Sequence, residues 1–308
     1  MTAENVRIPV TAVEPELRAI VSDQPAGPLK PAPRRIIVIG PPTFSVGTVL
    51  AGLRLLVQYS DLFCALSLFR LRIRYKQSAL GWLWAGVQPL ALMGIYTFVF
   101  AHVTKVDTSG VPYPAFVFCG LLPWIFFSGS ITNAVQGIVA YPSLMTKMYF
   151  PREIIPLSYL TTGAVDFLIS SVILAGILVH YRVTPTWNLL YCIPILMILG
   201  GFAAAIALLC SAVHVRIRDV GLALPFVLQV WMFATPVVYS SQAVPARFRT
   251  LYLLNPAGGT IDSFRGAILW GRAPDAFILT TAFIVTMVGL ALAYAYFKWA
   301  EAAMADVI

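Results

Sequence analysis

Six stretches of the chain, 81–103, 115–140, 154–180, 189–213, 220–241 and 276–297, each run for more than 20 residues almost free of Asp, Glu, Lys and Arg, with short charged connectors between them. A helix needs about 20 apolar residues to cross roughly 30 Å of hydrocarbon, where unpaired backbone polar groups are not tolerated. The pattern therefore predicts an all-α polytopic membrane protein with six transmembrane helices. Only the third stretch holds a formal charge, Asp166. The bulk composition, 59% hydrophobic and 11% charged, agrees with the local pattern. Soluble core helices of such length and uniformity are not expected.

Residues 53–76 follow a different rhythm. Leu55, Tyr59, Leu62, Leu66, Phe69 and Ile73 recur at helical spacing, while Arg54, Asp61, Arg70, Arg72, Arg74 and Lys76 sit near the ends or on other faces. That spacing predicts an N-terminal amphipathic interfacial helix. Its cationic end suits both the helix dipole and an anionic leaflet. The alternative is a seventh span, against which Arg54, Asp61 and the closing basic cluster leave too short a clean run. Residues 1–52 read as a flexible Pro-rich cytoplasmic tail, with eight prolines among the first 45 residues and too little apolar surface to order itself. Glu4, Glu14, Glu16 and Asp23 interrupt the start, so it does not read as a signal peptide. Residues 53–300 form the transmembrane domain and 301–308 a short cytoplasmic C-terminus.

The 21 Lys and Arg residues set the orientation. With both termini cytoplasmic, 10 of them precede the first span, and Lys147, Arg152, Arg216, Arg218 and Lys298 also fall inside. Lys105, Arg182, Arg247, Arg249, Arg265 and Arg272 fall outside, four of them in one long connector. The positive-inside rule favours this arrangement. Topology and contact with anionic lipid account for the net charge of +8, so no nucleic-acid partner is implied. The four cysteines, Cys64, Cys119, Cys192 and Cys210, lack pairing or metal spacing and read as small hydrophobes.

Two connectors stand out. In the one spanning 147–156, Pro151 is compatible with a first helical turn and Glu153 falls where a helix N-terminus favours negative charge, so a short surface helix and an ordinary charged turn both fit. The connector after span five is too apolar for a solvated loop and too interrupted for a span. Pro245, Pro256, Gly258, Gly259 and Gly266 break the apolar pieces Phe248 to Leu254 and Phe264 to Trp270. Two re-entrant outer half-helices between spans five and six account for this if protein buries the turn; a surface cap is the alternative.

Asp166 is the single intramembrane acid. Such a group is expensive in hydrocarbon and is either paired within the bundle or part of a transport path. Trp82, Trp84, Trp124, Phe126, Phe127, Trp231 and Phe233 cluster near span ends, which fits an interfacial aromatic belt and equally a pore whose ring faces stack on sugars. On the pore reading, Trp124, Phe127, Trp231 and Phe233 are the candidate glycan-channel residues. Arg70, Arg72, Arg74 and Lys76 would attract an anionic lipid headgroup. There is no GxxxxGK[ST] nucleotide loop, no HExxH and no Ser/His/Asp set, so no catalytic, cofactor or metal residues are assigned and the chain is not expected to be an enzyme.

The stretch from Arg74 to Trp84 (RYKQSALGWLW) leading to Gln88 and Pro89, and that from Gly120 to Phe127 (GLLPWIFF), resemble the permease subunits of ABC transporters that export polysaccharides, O-antigens and teichoic acids. The runs Tyr149 to Leu157 (YFPREIIPL), Val165 to Ser170 (VDFLIS) and Arg218 to Val220 (RDV), then Asn255-Pro256 and Phe264-Arg265, follow in the same order. The resemblance covers residues 53–300. It implies a homodimer docked to two copies of a separate ABC ATPase subunit, which would bind ATP and Mg, in the cytoplasmic (inner) membrane. It makes 147–157 the coupling helix, with Tyr149, Phe150, Pro151, Arg152 and Glu153 at the ATPase contact. The segment 53–76 becomes the connecting helix, and 242–272 an outer gate carrying Arg247, Arg249, Asn255 and Arg265. The implied substrate is a lipid-linked glycan moving outward. The Pro-rich tail has no role in that scheme. The competing readings are an ATP-independent flippase or secondary transporter, which the single acid and lack of an evident repeat oppose, and an intramembrane glycosyltransferase, which would need clustered carboxylates or metal ligands.

Overall fold

A computed structural model describes residues 57–76, 78, 80–103, 108, 110–140, 150–243, 245, 247 and 254–307, all within the unit Pro41–Ile308. The tail 1–52, the start of the expected amphipathic helix, Tyr149 and Arg249 lie outside the described residues. Among those described there are helices and no strands. In chain order the α-helices are α1 (Ser60–Tyr75), α2 (Trp84–Thr97), α3 (Tyr113–Val139), α4 (Ile154–His180), α5 (Cys192–Arg216), α6 (Asp219–Ala234), α7 (Pro256–Leu269) and α8 (Ala276–Val307).

Five segments are long and apolar enough to cross a membrane: Gly81–Phe100, Tyr113–Val139, Ile154–His180, Trp187–Arg216 and Ala276–Glu301. They reproduce five of the six expected stretches, and the last helix continues to Val307. The sixth stretch, 220–241, departs from expectation. Helix α6 stops after 16 residues at Ala234, because Thr235 precedes Pro236 and is forced into extended backbone, φ −101° and ψ 130°.

Helix α3 is the buried centre, packed against α4, α5, α6 and α7. Gly137 lets α4 approach closely: a Cβ there would meet the Tyr159 ring at 1.8 Å. Close approach at small residues is how helices associate where lipid removes the hydrophobic driving force. A second apolar cluster forms where α3 ends and α4 begins, joining Ile138, Phe150, Ile154 and Ile155 to Leu208 and Ala212 of α5 and Phe297 and Ala300 of α8. Tyr59, Leu62, Phe63 and Leu66 bring the start of α1 onto this cluster. From there α1 follows α4: the Arg70 guanidinium lies 3.5 Å from the Tyr159 ring centre, and Arg74 reaches Asp166. At 1.5 Å per residue, Asp166 is about 18 Å along α4 from Ile154, so the basic end of α1 stands near the middle of that helix.

The irregular backbone after α6 is buried from Thr235 to Val238, and α7 with its cap and the start of α3 supply its missing partners. Arg265, fully enclosed, donates to the carbonyls of Pro236 at 3.3 Å, Val237 at 2.5 Å and Tyr239 at 3.4 Å. Tyr113 donates to the Val238 carbonyl at 2.7 Å and Asn255 to the Thr235 hydroxyl at 2.9 Å. Non-helical backbone at this depth requires such satisfaction from protein groups. The guanidinium needs Gly120 beneath it, where a Cβ would come within 2.2 Å of Nη2.

Candidate functional site

A cavity of about 530 Å³ opens between α2, α3, α4 and α6, with the end of α1 at its rim. Three chemistries line it. Trp84, Trp124, Phe126 and Phe167 provide ring faces, and Gln88, Asn133 and Gln229 provide amides. Ser128, Ser130 and Thr132 add hydroxyls from α3, although Ser128 and Thr132 donate to carbonyls one turn back at 2.9 Å. At the rim Arg74 pairs with Asp166 at 2.6 Å. Tyr75 also donates to Asp166 and stacks on Trp82 at 4.6 Å. Burial first, and then the Asp166 contact, pushes the Tyr75 hydroxyl above its ordinary range, so it remains a neutral donor.

The four basic residues expected to meet a headgroup separate into three environments. Arg70 is buried against Tyr159, Arg74 is half committed to Asp166, and Arg72 and Lys76 are exposed. Only Arg74 lines the cavity. The expected glycan-channel aromatics separate likewise. Trp124 reaches the cavity. Phe127 is sealed in the core, stacked on Phe202 at 5.5 Å and edge-on to Trp231 at 5.5 Å, while Phe233 is exposed. Successive residues on a helix point about 100° apart, which sends Phe126 into the cavity and Phe127 away from it. Phe126 and Trp84 were visible in the sequence as members of aromatic clusters. Phe167 and the amides Gln88, Asn133 and Gln229 were missed, although uncharged polar residues inside apolar runs were a signal available to find them.

In the outer-gate set, Arg265 and Asn255 hold the backbone after α6 and Arg247 is exposed. In the coupling set, Phe150, Pro151 and Glu153 are buried and Arg152 is partly exposed. No cluster of metal ligands occurs among the described residues. What the cavity offers is binding chemistry: flat ring faces for C–H surfaces, and amides and hydroxyls for a polyhydroxylated ligand.

Five helices long and apolar enough to cross a bilayer, three of them walling a polar-lined cavity, define a multi-pass membrane protein. The chain belongs to the ABC-2 type transporter family, whose profile matches residues 61–269. It is 32% identical over 247 residues to the O-antigen export system permease protein RfbA of Myxococcus xanthus, covering 80% of this chain and 94% of that protein. The protein of that name from Klebsiella pneumoniae is 31% identical over 237 residues, 75% of this chain and 90% of that one. The polysialic acid transport protein KpsM of Escherichia coli is 25% identical over 248 residues, 78% of this chain and 93% of that protein.

Proposed function

We propose that this chain is the membrane-spanning subunit of an ATP-driven exporter that moves a lipid-linked polysaccharide out of the cytoplasm across the inner membrane. The observation that carries this reading is the cavity of about 530 Å³, lined by ring faces and amides, with an Arg–Asp pair at its rim. Stacking tolerates changing register, so a polymer can slide where a dense lattice of hydrogen bonds would trap each unit. The O-antigen and polysialic acid relatives point to the same substrate class.

ATP and Mg belong to a separate ATPase subunit, two copies serving a homodimer of this chain. Gln88 and Gln229 line the cavity yet are exposed in the single chain. Amides facing hydrocarbon are costly, and a second copy covering that side relieves the cost. Both termini are cytoplasmic, which requires an even number of crossings. Helix α6 supplies about 24 Å, and the buried irregular backbone that follows it from Thr235 to Val238 completes a sixth crossing. Helix α7, about 21 Å long and buried by α3, α5 and α8, is the returning half of a re-entrant pair.

The test is affinity purification of the tagged chain from membranes. A stable equimolar complex with a nucleotide-hydrolysing subunit, and accumulation of lipid-linked glycan on the inner face when the chain is deleted, are expected. Recovery of the chain alone from actively exporting cells overturns the reading.

A further inference from the structure

Glu153 stands immediately before α4 with its side chain wholly enclosed. One carboxylate oxygen accepts from the Tyr294 hydroxyl at 3.1 Å and the other from the Lys298 ammonium at 2.8 Å. Lys298 also donates to Glu301 at 2.9 Å. Arg152 closes the other side: its backbone N–H donates to the Glu301 carboxylate at 3.3 Å, and its guanidinium donates to the Glu301 backbone carbonyl at 2.7 Å. Tyr294, Lys298 and Glu301 are spaced by four and three residues, so they share one face of α8. Two acids and two bases balance within the group, and Phe150, Ile154, Ile155, Phe297 and Ala300 pack around it.

We propose that Arg152, Glu153, Lys298 and Glu301, with Tyr294, form a permanent joint that makes α8 a second lever of the export stroke. This rests on the reading above that residues 147–157 receive the motion of the ATPase. Glu153 is spent on α8 and offers no surface to another subunit; it is a positioning residue. Opening the joint would strand a carboxylate among apolar side chains, which is far harder than moving the joined parts together. Displacing residues 150–153 therefore carries the start of α4 and the end of α8 as one body, and α5, against which α8 packs most extensively, moves with them. The cavity is walled on one side by Gly163, Asp166, Phe167 and Ser170 of α4, and on others by α2 and α6, which contribute no residue to the apolar cluster around the joint. Motion of the joined body consequently changes the width of the cavity, and the joint transmits force without itself touching substrate.

The test uses the full chain in complex with its ATPase subunit, reconstituted in vesicles with lipid-linked glycan. Lys298→Met should leave assembly and basal ATP hydrolysis within about twofold of the parent while lowering glycan exported per ATP by about tenfold; Lys298→Arg should restore most of it. Unaltered export per ATP in Lys298→Met overturns the joint as a transmission element. A second measurement decides even if that variant fails to fold. With Cys64→Ser removing the exposed thiol, the pair Arg152→Cys and Glu301→Cys is bridged by a short bis-methanethiosulfonate reagent. A permanent joint predicts that bridging raises export per ATP above the unbridged pair. Arrest of export on bridging, reversed by reduction, shows that the joint must open and overturns the proposal. Absence of any ATPase from the parent complex refutes instead the functional reading on which it rests.

Discussion

Arg74 of α1 and Asp166 of α4 meet at 2.6 Å, with the Arg74 side chain 42% and the Asp166 side chain 16% exposed. The carboxylate also accepts from Tyr75, so the one acid in the span is held by two neighbours from a different helix. The arrangement ties the end of α1 to the rim of the cavity. Partial exposure limits what the ion pair adds to stability, since solvent screens it.

Asp166→Asn keeps an acceptor for Tyr75 and removes only the charge. In a double-mutant cycle with Arg74→Gln, measured by unfolding in detergent, the coupling should be no more than about 1 kcal/mol. Export should fall more steeply than stability, because loosening α1 shifts Tyr75 at the rim and its stack on Trp82. A coupling of several kcal/mol would mean that the pair is a structural staple.

The break in α6 gives a sharper stability prediction. Arg265→Met leaves the carbonyls of Pro236, Val237 and Tyr239 without their donor, at about 1–3 kcal/mol for each that stays dry. Gly120→Ala attacks the same place from below, where the added Cβ meets Arg265 at 2.2 Å and the Val237 carbonyl at 2.5 Å; overpacking of this kind costs about 1–3 kcal/mol. Both variants should unfold at lower denaturant and assemble poorly. If either is as stable as the parent yet blocked in export, Arg265 acts at the gate and not as a backbone support.

Much of this architecture is legible from hydropathy, because bilayer thickness imposes a length that uncharged runs reveal directly. Helix α4 matches its stretch, Ile154 to His180, at both ends. The end of α6 was not legible in a window average, since Thr235 and Pro236 are uncharged and the run continues through Val238. Pro236 was the signal that outweighed hydropathy. The site was legible only in part. Charge counting passes over Gln88, Asn133 and Gln229, and neighbouring aromatics such as Phe126 and Phe127 divide between cavity and core according to helix phase. The burial of Glu153 could not be read locally, because its partners Tyr294 and Lys298 lie more than 140 residues away.

The cavity and the core beside it should respond in opposite ways to substitution. Gln229→Leu and Asn133→Leu remove amides from the cavity wall and should slow export of long chains by about tenfold, equivalent to roughly 1.4 kcal/mol, with unfolding unchanged. Phe127→Ala instead empties a sealed position among Trp124, Phe202 and Trp231 and should cost about 3–5 kcal/mol of stability. Equal loss of stability in all three variants would remove the cavity as the sugar path.

The basic cluster at the end of α1 offers the last prediction, because its members differ in what they are free to do. Arg70 is committed to Tyr159 and Arg74 to Asp166, whereas Arg72 and Lys76 are exposed. Replacing Arg72 and Lys76 together with Gln should leave unfolding unchanged and weaken the stimulation of ATP hydrolysis by lipid-linked glycan. Exposed charges act through solvent, so the stimulation of the parent complex should decline as salt shortens the screening length below about 8 Å, and the double variant should have lost most of that salt sensitivity. Arg70→Gln should do the reverse, loosening the packing of α1 on α4 with little change in salt dependence. If the double variant keeps both full stimulation and its salt response, Arg72 and Lys76 serve only to anchor the chain to the anionic leaflet, and recruitment of the headgroup falls to Arg74 alone.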